Sequence, residues 1–391
     1  MNQLPPPGAQ RILCVVGARP NFMKMAPIMQ ALAALHPHVE PRLLHTGQHY
    51  DFAMNHQYFD ALGMAAPEFN LEVGPGSHAV QTAEVMRKFE PVLDRVAPAA
   101  VLVVGDVNST LACALVAAKK GVPVIHVEAG LRSHDRSMPE EINRVLTDQL
   151  SDLLFTTEAG ARANLLREGV AEAAIHFVGN VMIDTLLAHL PRAVSAARVA
   201  VNAGRAGFAD GARGYALFTL HRAANVDDPV ALRGLIETAL RVARRTPVIM
   251  PLHPRTAGKL ASAALGHLLE DPALLVTPPL GYLEMLGVMN GARVVLTDSG
   301  GVQEETTALG VPCITMRDNT ERPITVEQGT NIVAGRDPAR ILAAYEAVLA
   351  GSGTANRIPP LWDGHAAPRI AAAIVSWLRE RRQYSSRREP A

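Results

Sequence analysis

Residues 101–127 read VLVVGDVNSTLACALVAAKKGVPVIHV. A continuously apolar run, Val101–Val104, meets Gly105-Asp106. A helical stretch, Ser109–Lys120, follows, Gly121 closes it, and Val122-Pro123 opens a second apolar run. Apolar runs without alternation are expected of strands buried on both faces of a parallel sheet. Gly suits the end of a helix and Pro the first residue of a strand, so the stretch is a strand–helix–strand unit. Residues 294–316, VVLTDSGGVQEETTALGVPCITM, repeat the plan. Thr297-Asp298-Ser299 ends a strand, Gly301–Leu309 is a helix, and Gly310-Val311-Pro312 opens the next strand. Each unit puts an acidic residue at the carboxyl end of a strand.

Outward from these two units the same alternation continues. Further strands are expected at Ile12–Val16, Arg42–His45, Leu153–Thr156, Ile175–Val178, Ala216–Leu220, Val248–Leu252, Leu274–Thr277 and Asn331–Val333, and a helix at Pro139–Leu150. Such alternation means doubly wound α/β. The strands are too many for one sheet, so two Rossmann-like domains are expected. The first spans 10–185 and is completed by a C-terminal helix at 365–383; the second spans 186–364. Open α/β sheets bind ligands at the carboxyl ends of their strands, which makes the interdomain cleft the expected site.

Composition narrows the function classes. The 37 Lys+Arg balance 37 Asp+Glu to a formal charge of +0, which offers no overall attraction for nucleic acid or an anionic membrane. No apolar run reaches the roughly 18 residues of a membrane span. Met1 to Gln10 is polar and Pro-rich, without the basic and apolar regions of a signal peptide. Cys14, Cys113 and Cys313 sit in apolar stretches and read as reduced core residues of a cytoplasmic protein.

Three constellations could carry chemistry. The first strand runs into Gly17-Ala18-Arg19-Pro20-Asn21-Phe22-Met23-Lys24, either an anion site or an ordinary strand–helix turn. No GxGxxG is present, so a dinucleotide fingerprint is missing. Thr297-Asp298-Ser299-Gly300-Gly301 joins a strand to a helix in a way that admits a phosphate. A carboxylate one turn on could hold ribose hydroxyls; a simple capped helix is the alternative. Asp106 and Glu128 follow apolar strands, while Glu140 begins a helix, where an acid also serves the helix dipole. His45, His49 and His56 cross a strand–helix junction without a Cys pair, and no metal is expected.

The motifs together resemble the non-hydrolysing UDP-N-acetylglucosamine 2-epimerases. They are Gly17-Ala18-Arg19-Pro20…Lys24, Thr46-Gly47-Gln48-His49, Gly105-Asp106, His126-Val127-Glu128-Ala129-Gly130-Leu131-Arg132, Met138-Pro139-Glu140-Glu141-x-Asn143-Arg144 and His221-Arg222. Asp298-Ser299-Gly300-Gly301-x-Gln303-Glu304-Glu305 and Arg317-Asp318-x-Thr320-Glu321-Arg322-Pro323 complete the set. The resemblance implies a glycosyltransferase-B-type pair of Rossmann-like domains, usually a homodimer, that interconverts UDP-GlcNAc and UDP-ManNAc without cofactor or metal. It implies Asp106, Glu128, Glu140 and His221 as catalytic. It implies substrate contacts from Arg19, Lys24, Gln48, His49, Arg144, His253, Ser299, Gly300, Gly301 and Arg322, with Glu305 on the ribose. Where the family often has x-Glu-Asn after His-Arg, this chain has Ala223-Ala224-Asn225, and Ile324 replaces a common Glu after Pro323. Other readings are a hydrolysing relative, an epimerase of a modified UDP-sugar such as a diacetamido uronic acid, a glycosyltransferase of the same fold, and a silent nucleotide-sugar sensor.

Overall fold

The apolar runs pair side by side, all parallel, in two separate sheets. The computed structural model describes residues 10–35, 39–47, 62–212, 214–352 and 357–386. The chain divides into two compact units, Met1–Thr185 with Pro360–Ala391, and Leu186–Pro359.

In the first unit β1 (Gln10–Val16), β2 (Val39–His45), β3 (Phe69–Asn70), β4 (Ala100–Val104), β5 (Val124–Val127), β6 (Leu153–Thr156) and β7 (Ile175–Phe177) lie in the order β3-β2-β1-β4-β5-β6-β7. In the second, β8 (Ala216–Thr219), β9 (Val248–Pro251), β10 (Leu274–Thr277), β11 (Val294–Thr297), β12 (Cys313–Thr315) and β13 (Asn331–Val333) lie in the order β10-β9-β8-β11-β12-β13. Both orders reverse beside the unit's first strand, between β1 and β4 and between β8 and β11. At such a reversal the connections leave on opposite faces and a crevice opens at the strands' carboxyl ends. Those four ends carry Gly17, Gly105-Asp106, His221 and Asp298.

Both faces of the sheets are covered, which explains the unbroken apolar runs. In the second unit Phe218, Val248, Met250, Val294 and Leu296 pack on one face, and their neighbours Leu217, Ile249, Leu275 and Val295 on the other. Burying each such side chain contributes about 1.5–3 kcal/mol relative to exposure. The helices Asn108–Lys119, Pro139–Leu150 and Gly300–Leu309 stand within a residue of their expected bounds. β3 was not anticipated, because two residues are too few to show a pattern.

The C-terminal segment belongs to the first unit through specific bonds. Trp362 Nε1 donates to the Thr157 carbonyl at 3.0 Å, and the Ala366 and Ala367 N–H groups donate to the Asp184 carboxylate at 3.1 and 2.7 Å. Asp184 thereby caps the helix Ala366–Ser386, which packs on Arg19–Ala33. The three cysteine thiols are free and buried, and burial pushes Cys14 and Cys313 up to about 12. Among the described residues no helix is long and apolar enough to cross a membrane.

Candidate active site

At the end of β1 the chain turns so tightly over β4's helix that a Cβ on Gly17 would lie 2.3 Å from Ser109 Oγ. The Gly17 and Ala18 N–H groups both donate to Asn21 Oδ1, at 3.1 and 3.0 Å. This turn therefore spends two of its donors on its own helix, leaving anion binding there to side chains. Lys24, one turn further on, is buried and ion-paired with Glu128. The side chain of Arg19, with Gln48, His49 and His56, lies outside the described residues; His45 is buried at the end of β2 against the Phe22 ring.

Glu128 follows β5 with φ at +73°, in the left-handed region that disfavours a residue with a Cβ by roughly 1–2 kcal/mol. The N–H groups of Glu128 and Ala129 both donate to the Phe155 carbonyl, at 3.1 and 3.0 Å, and hold that conformation. Strained backbone around a buried carboxylate is a mark of functional sites. Lys24 also reaches the neighbouring turn, since a methyl group on Gly105 would stand 3.2 Å from its Nζ. Asp106, next after Gly105, is ion-paired with Arg144 of the helix Pro139–Leu150. Arg144 also meets Glu141 at 3.2 Å, and Asn143 Nδ2 donates to the Asp106 carbonyl at 2.9 Å.

That helix separates two adjacent acids. Glu141 is buried and accepts from Ser133 N–H, His134 N–H and Ser133 Oγ at 2.9–3.0 Å, so it anchors the preceding loop. Glu140 is partly exposed and has no hydrogen-bond or ion-pair partner among the described residues. Beneath the turns, fully buried His126 joins the Gly105 carbonyl (2.8 Å) to Asp148 (2.7 Å), and Asp148 accepts from Gly130 N–H at 3.1 Å. The structure thus links Asp106, Glu128, Lys24 and Arg144 into one cluster, on whose Arg144 helix Glu140 occupies the first turn.

Lys24→Met should leave Glu128 without this cation and lower stability by about 3–5 kcal/mol, with Glu128→Gln on the same chain restoring much of it. Denaturant unfolding of the single and double variants checks this; equal stabilities would mean the pair does not support the fold.

In the second unit His221 follows β8 and Asp298 follows β11. Asp298 is fully buried and accepts from the backbone N–H groups of His221 (3.1 Å) and Arg222 (2.9 Å), from Asn225 Nδ2 (3.1 Å) and from His221 Nδ1 (2.9 Å). Burial opposes its charge, yet the His221 ring and these N–H groups outweigh burial and hold the carboxyl below its usual range. The His253 ring lies 5.7 Å from that of His221.

Ser299 is the N-cap of Gly300–Leu309 without a side-chain cap bond. The first N–H groups of a helix have no partner within it and favour an anion. A Cβ on Gly301 would meet nothing within 4 Å, whereas one on Gly300 would lie 3.1 Å from Glu321 Oε1. Glu321 is nearly buried and pairs with Arg317 (2.8 Å) and Arg222 (3.3 Å). Burial opposes its charge, but the Arg322 and Arg317 charges prevail and bring the carboxyl down to about 2. Arg322 itself pairs with Glu304 at 2.9 Å.

Glu305 differs from its neighbours. It is 8% exposed and has no hydrogen-bond partner among the described residues, and burial, with the adjacent Glu304 charge, pushes its carboxyl up to about 8. The Tyr282 hydroxyl is likewise buried without a partner, pushed up by burial and by the Glu305 charge. A raised carboxyl stabilises the fold below its ordinary value near 4.5 and loses that contribution as pH rises through 8. Glu305→Gln removes the penalty, so its melting temperature in ligand-free protein should gain on the wild type between pH 5 and 9. The gain corresponds to at most about 1.4 kcal/mol per pH unit. A difference that stays constant with pH would contradict the raised value.

The sequence motifs contained Asp298, Glu321, Glu141 and Asn21, but the bonds that these side chains make did not follow from them there. Asn21 stands three and four residues behind the Ala18 and Gly17 N–H groups it accepts, a local signal, whereas Asp298 acts on residues more than 70 positions away.

Residues 32–375 match the UDP-N-acetylglucosamine 2-epimerase family. The chain is 40% identical over 358 residues to the UDP-N-acetylglucosamine 2-epimerase of Methanococcus maripaludis, covering 91% of this chain and 95% of that one. It is 42% identical over 328 residues to the UDP-2,3-diacetamido-2,3-dideoxy-D-glucuronate 2-epimerase of Pseudomonas aeruginosa, covering 83% and 88%. The crystal structure of the Methanocaldococcus jannaschii UDP-GlcNAc 2-epimerase in complex with UDP-GlcNAc and UDP matches with a TM-score of 0.83 at 41% identity, over 94% of this chain and 99% of that one. The fold class is accordingly α/β, two Rossmann-like units of glycosyltransferase-B type. With the likeness carried by sequence and fold alike over most of its length, the chain belongs to the UDP-N-acetylglucosamine 2-epimerase family.

Proposed function

We propose that the protein inverts C2 of UDP-GlcNAc to give UDP-ManNAc, reversibly, by elimination and re-addition of UDP. The C2 proton is not α to a carbonyl, so direct removal is very hard. When the C1–O bond breaks and its electron pair leaves on UDP, the C2 proton can go to a base, and a 2-acetamidoglucal forms. UDP oxygen then re-adds at C1 while a proton arrives at C2 from the other face. This needs a base, an acid and a cationic grip on the departing diphosphate. UDP must stay bound between the steps.

The observation that carries the reading is the cluster in the first unit: Asp106 and Glu128 at neighbouring strand ends, each paired with a cation, with the unpartnered Glu140 on the Arg144 helix. Asp106, Glu128 and Glu140 are assigned the proton transfers. Arg19, Lys24, His221 and the Ser299-Gly300-Gly301 turn bear the diphosphate in this reading, Lys24 from its place beside Glu128, and Arg322 is a further substrate contact. Glu305 takes the ribose, and Gln48, His49, Arg144 and His253 are further substrate contacts. The chain's two compact units are proposed as its two domains, and a cytoplasmic homodimer as its assembly. Light scattering that gives the mass of a single chain would contradict the dimer.

The 42% identity to the diacetamido-glucuronate enzyme favours a second reading, the same chemistry on that UDP-sugar acid. Purified protein offered each nucleotide sugar separately, with products resolved by anion exchange and NMR, separates the two. UDP-ManNAc from UDP-GlcNAc is the expected product. Turnover of the uronate alone supports the second reading, and free ManNAc with UDP identifies a hydrolysing enzyme.

A further inference from the structure

The Asp298 carboxylate does two things at the end of β11. It accepts the backbone N–H groups of His221 and Arg222, which fixes the turn, and it stands 2.9 Å from His221 Nδ1, which fixes the ring on that turn. Asn225 Nδ2 holds the same carboxylate from a third side, at 3.1 Å, and also donates to the Met316 carbonyl at 2.9 Å. A carboxylate only accepts, so the proton between the two groups sits on His221 Nδ1. Nε2 of this ring, whose side chain is 36% exposed, has no hydrogen-bond partner among the described residues. The neighbouring His253 is arranged the other way round: its Nδ1 accepts the Arg255 N–H at 3.2 Å, which puts its proton on Nε2.

We infer that Asp298 is a positioning residue that commits His221 to the Nδ1–H form, so that Nε2 is the atom His221 presents to the diphosphate of a bound UDP-sugar. The inference rests on the nucleotide-sugar reading for its ligand and on the geometry above for the dyad. To donate to a phosphate oxygen, Nε2 takes up a second proton from solvent. The ring then carries a full charge between two anions, Asp298 behind and the diphosphate in front. A buried carboxylate behind a histidine holds the ring's tautomer and orientation in this way. Asn225, the residue that holds Asp298 in place, is the one family-like position in Ala223-Ala224-Asn225.

The test begins with ligand-free wild-type protein carrying ¹⁵N-labelled histidine. Long-range ¹H–¹⁵N spectra near pH 8 should show the neutral His221 ring protonated at Nδ1; protonation at Nε2 alone would overturn the dyad. Asp298→Asn should move that proton to Nε2. In the same variant UDP affinity should fall about tenfold or more, the scale of a charge-assisted hydrogen bond, while uridine, which lacks phosphate, should bind within twofold of the wild type. Equal losses for uridine and UDP would mean general damage to the unit and overturn the positioning role, as would an unchanged UDP affinity. Should Asp298→Asn fail to fold, the wild-type spectrum still decides the proton's place, and His221→Gln with the same pair of ligands decides whether the ring serves the phosphates. Wild-type protein that binds no UDP at all refutes the nucleotide reading, while the ligand-free spectrum continues to decide the dyad.

Discussion

Asp106→Asn, Glu128→Gln and Glu140→Gln, each folded and still binding UDP, are expected to lose at least tenfold and up to about 10⁴-fold in epimerisation. An amide keeps the size of the carboxyl and part of its hydrogen bonding but cannot shuttle a proton. The three substitutions differ in what else they disturb. Glu140 has no partner among the described residues, so its amide should cost only the helix-dipole contribution, about 0.3–1 kcal/mol, while its rate falls. Asp106→Asn breaks one ion pair of Arg144, which retains Glu141. Glu128→Gln leaves the buried Lys24 without its ion-pair partner, so this variant should also be the least stable of the three. The two half-reactions need different proton transfers. Glu140→Gln or Glu128→Gln should therefore release glycal and UDP into solution where re-addition is slowed more than elimination, and Asp106→Asn should mainly lose turnover. If two of the three keep near-normal rates, the acid/base assignment is wrong and those carboxylates serve the strand-end turns alone.

Glu305→Ala is expected to weaken UDP binding by about 1.5–3 kcal/mol, the usual worth of hydrogen bonds to a charged group. The carboxyl is buried beside Glu304 with no partner of its own, so free protein holds it neutral to about pH 8. Two ribose hydroxyls donating to it favour the carboxylate, and binding must first ionise the group. The ratio of wild-type to Glu305→Ala affinity should therefore climb from pH 6 to about pH 8 and then level off. Taking the ratio cancels titrations that both proteins share. Calorimetry showing unchanged UDP affinity in a folded variant would remove Glu305 from the ribose, and a ratio that falls with pH would mean that the ligand prefers the neutral acid.

Much of the fold was legible because the sheets are parallel and covered on both faces. Val101–Val104 and Val294–Thr297 are unbroken apolar runs, and Gly121-Val122-Pro123 and Gly310-Val311-Pro312 punctuate them with residues whose backbone preferences are strong. The short β3 pairs only two residues, Phe69 and Asn70, and left no periodic trace. Strand ends also flagged Asp106, Glu128 and Asp298, since in such sheets ligands meet the carboxyl edge. What those residues do to one another was not legible. Lys24 and Glu128 come from β1's helix and β5's end, and only the sheet order, which places β1 and β5 on either side of β4, brings them together. The Gly17–Lys24 stretch marked Lys24 as part of an anion site, but its ion pair with Glu128 was not legible there. Glu140 and Glu141 are adjacent and chemically alike; the direction each takes from the helix start makes one a loop anchor and leaves the other unpaired. Asp298 read as part of a phosphate turn, and its bonds to His221 exist only because β8 and β11 are neighbours.

The most direct test of the account is to run the purified protein on UDP-GlcNAc in D₂O and to read C2 of the nucleotide sugars by NMR. Elimination and re-addition deliver a solvent proton to C2, so UDP-ManNAc should carry deuterium there, and UDP-GlcNAc recovered from the reverse reaction should acquire it as well. UDP-ManNAc that retains the original C2 hydrogen, or substrate recovered unchanged, would contradict it.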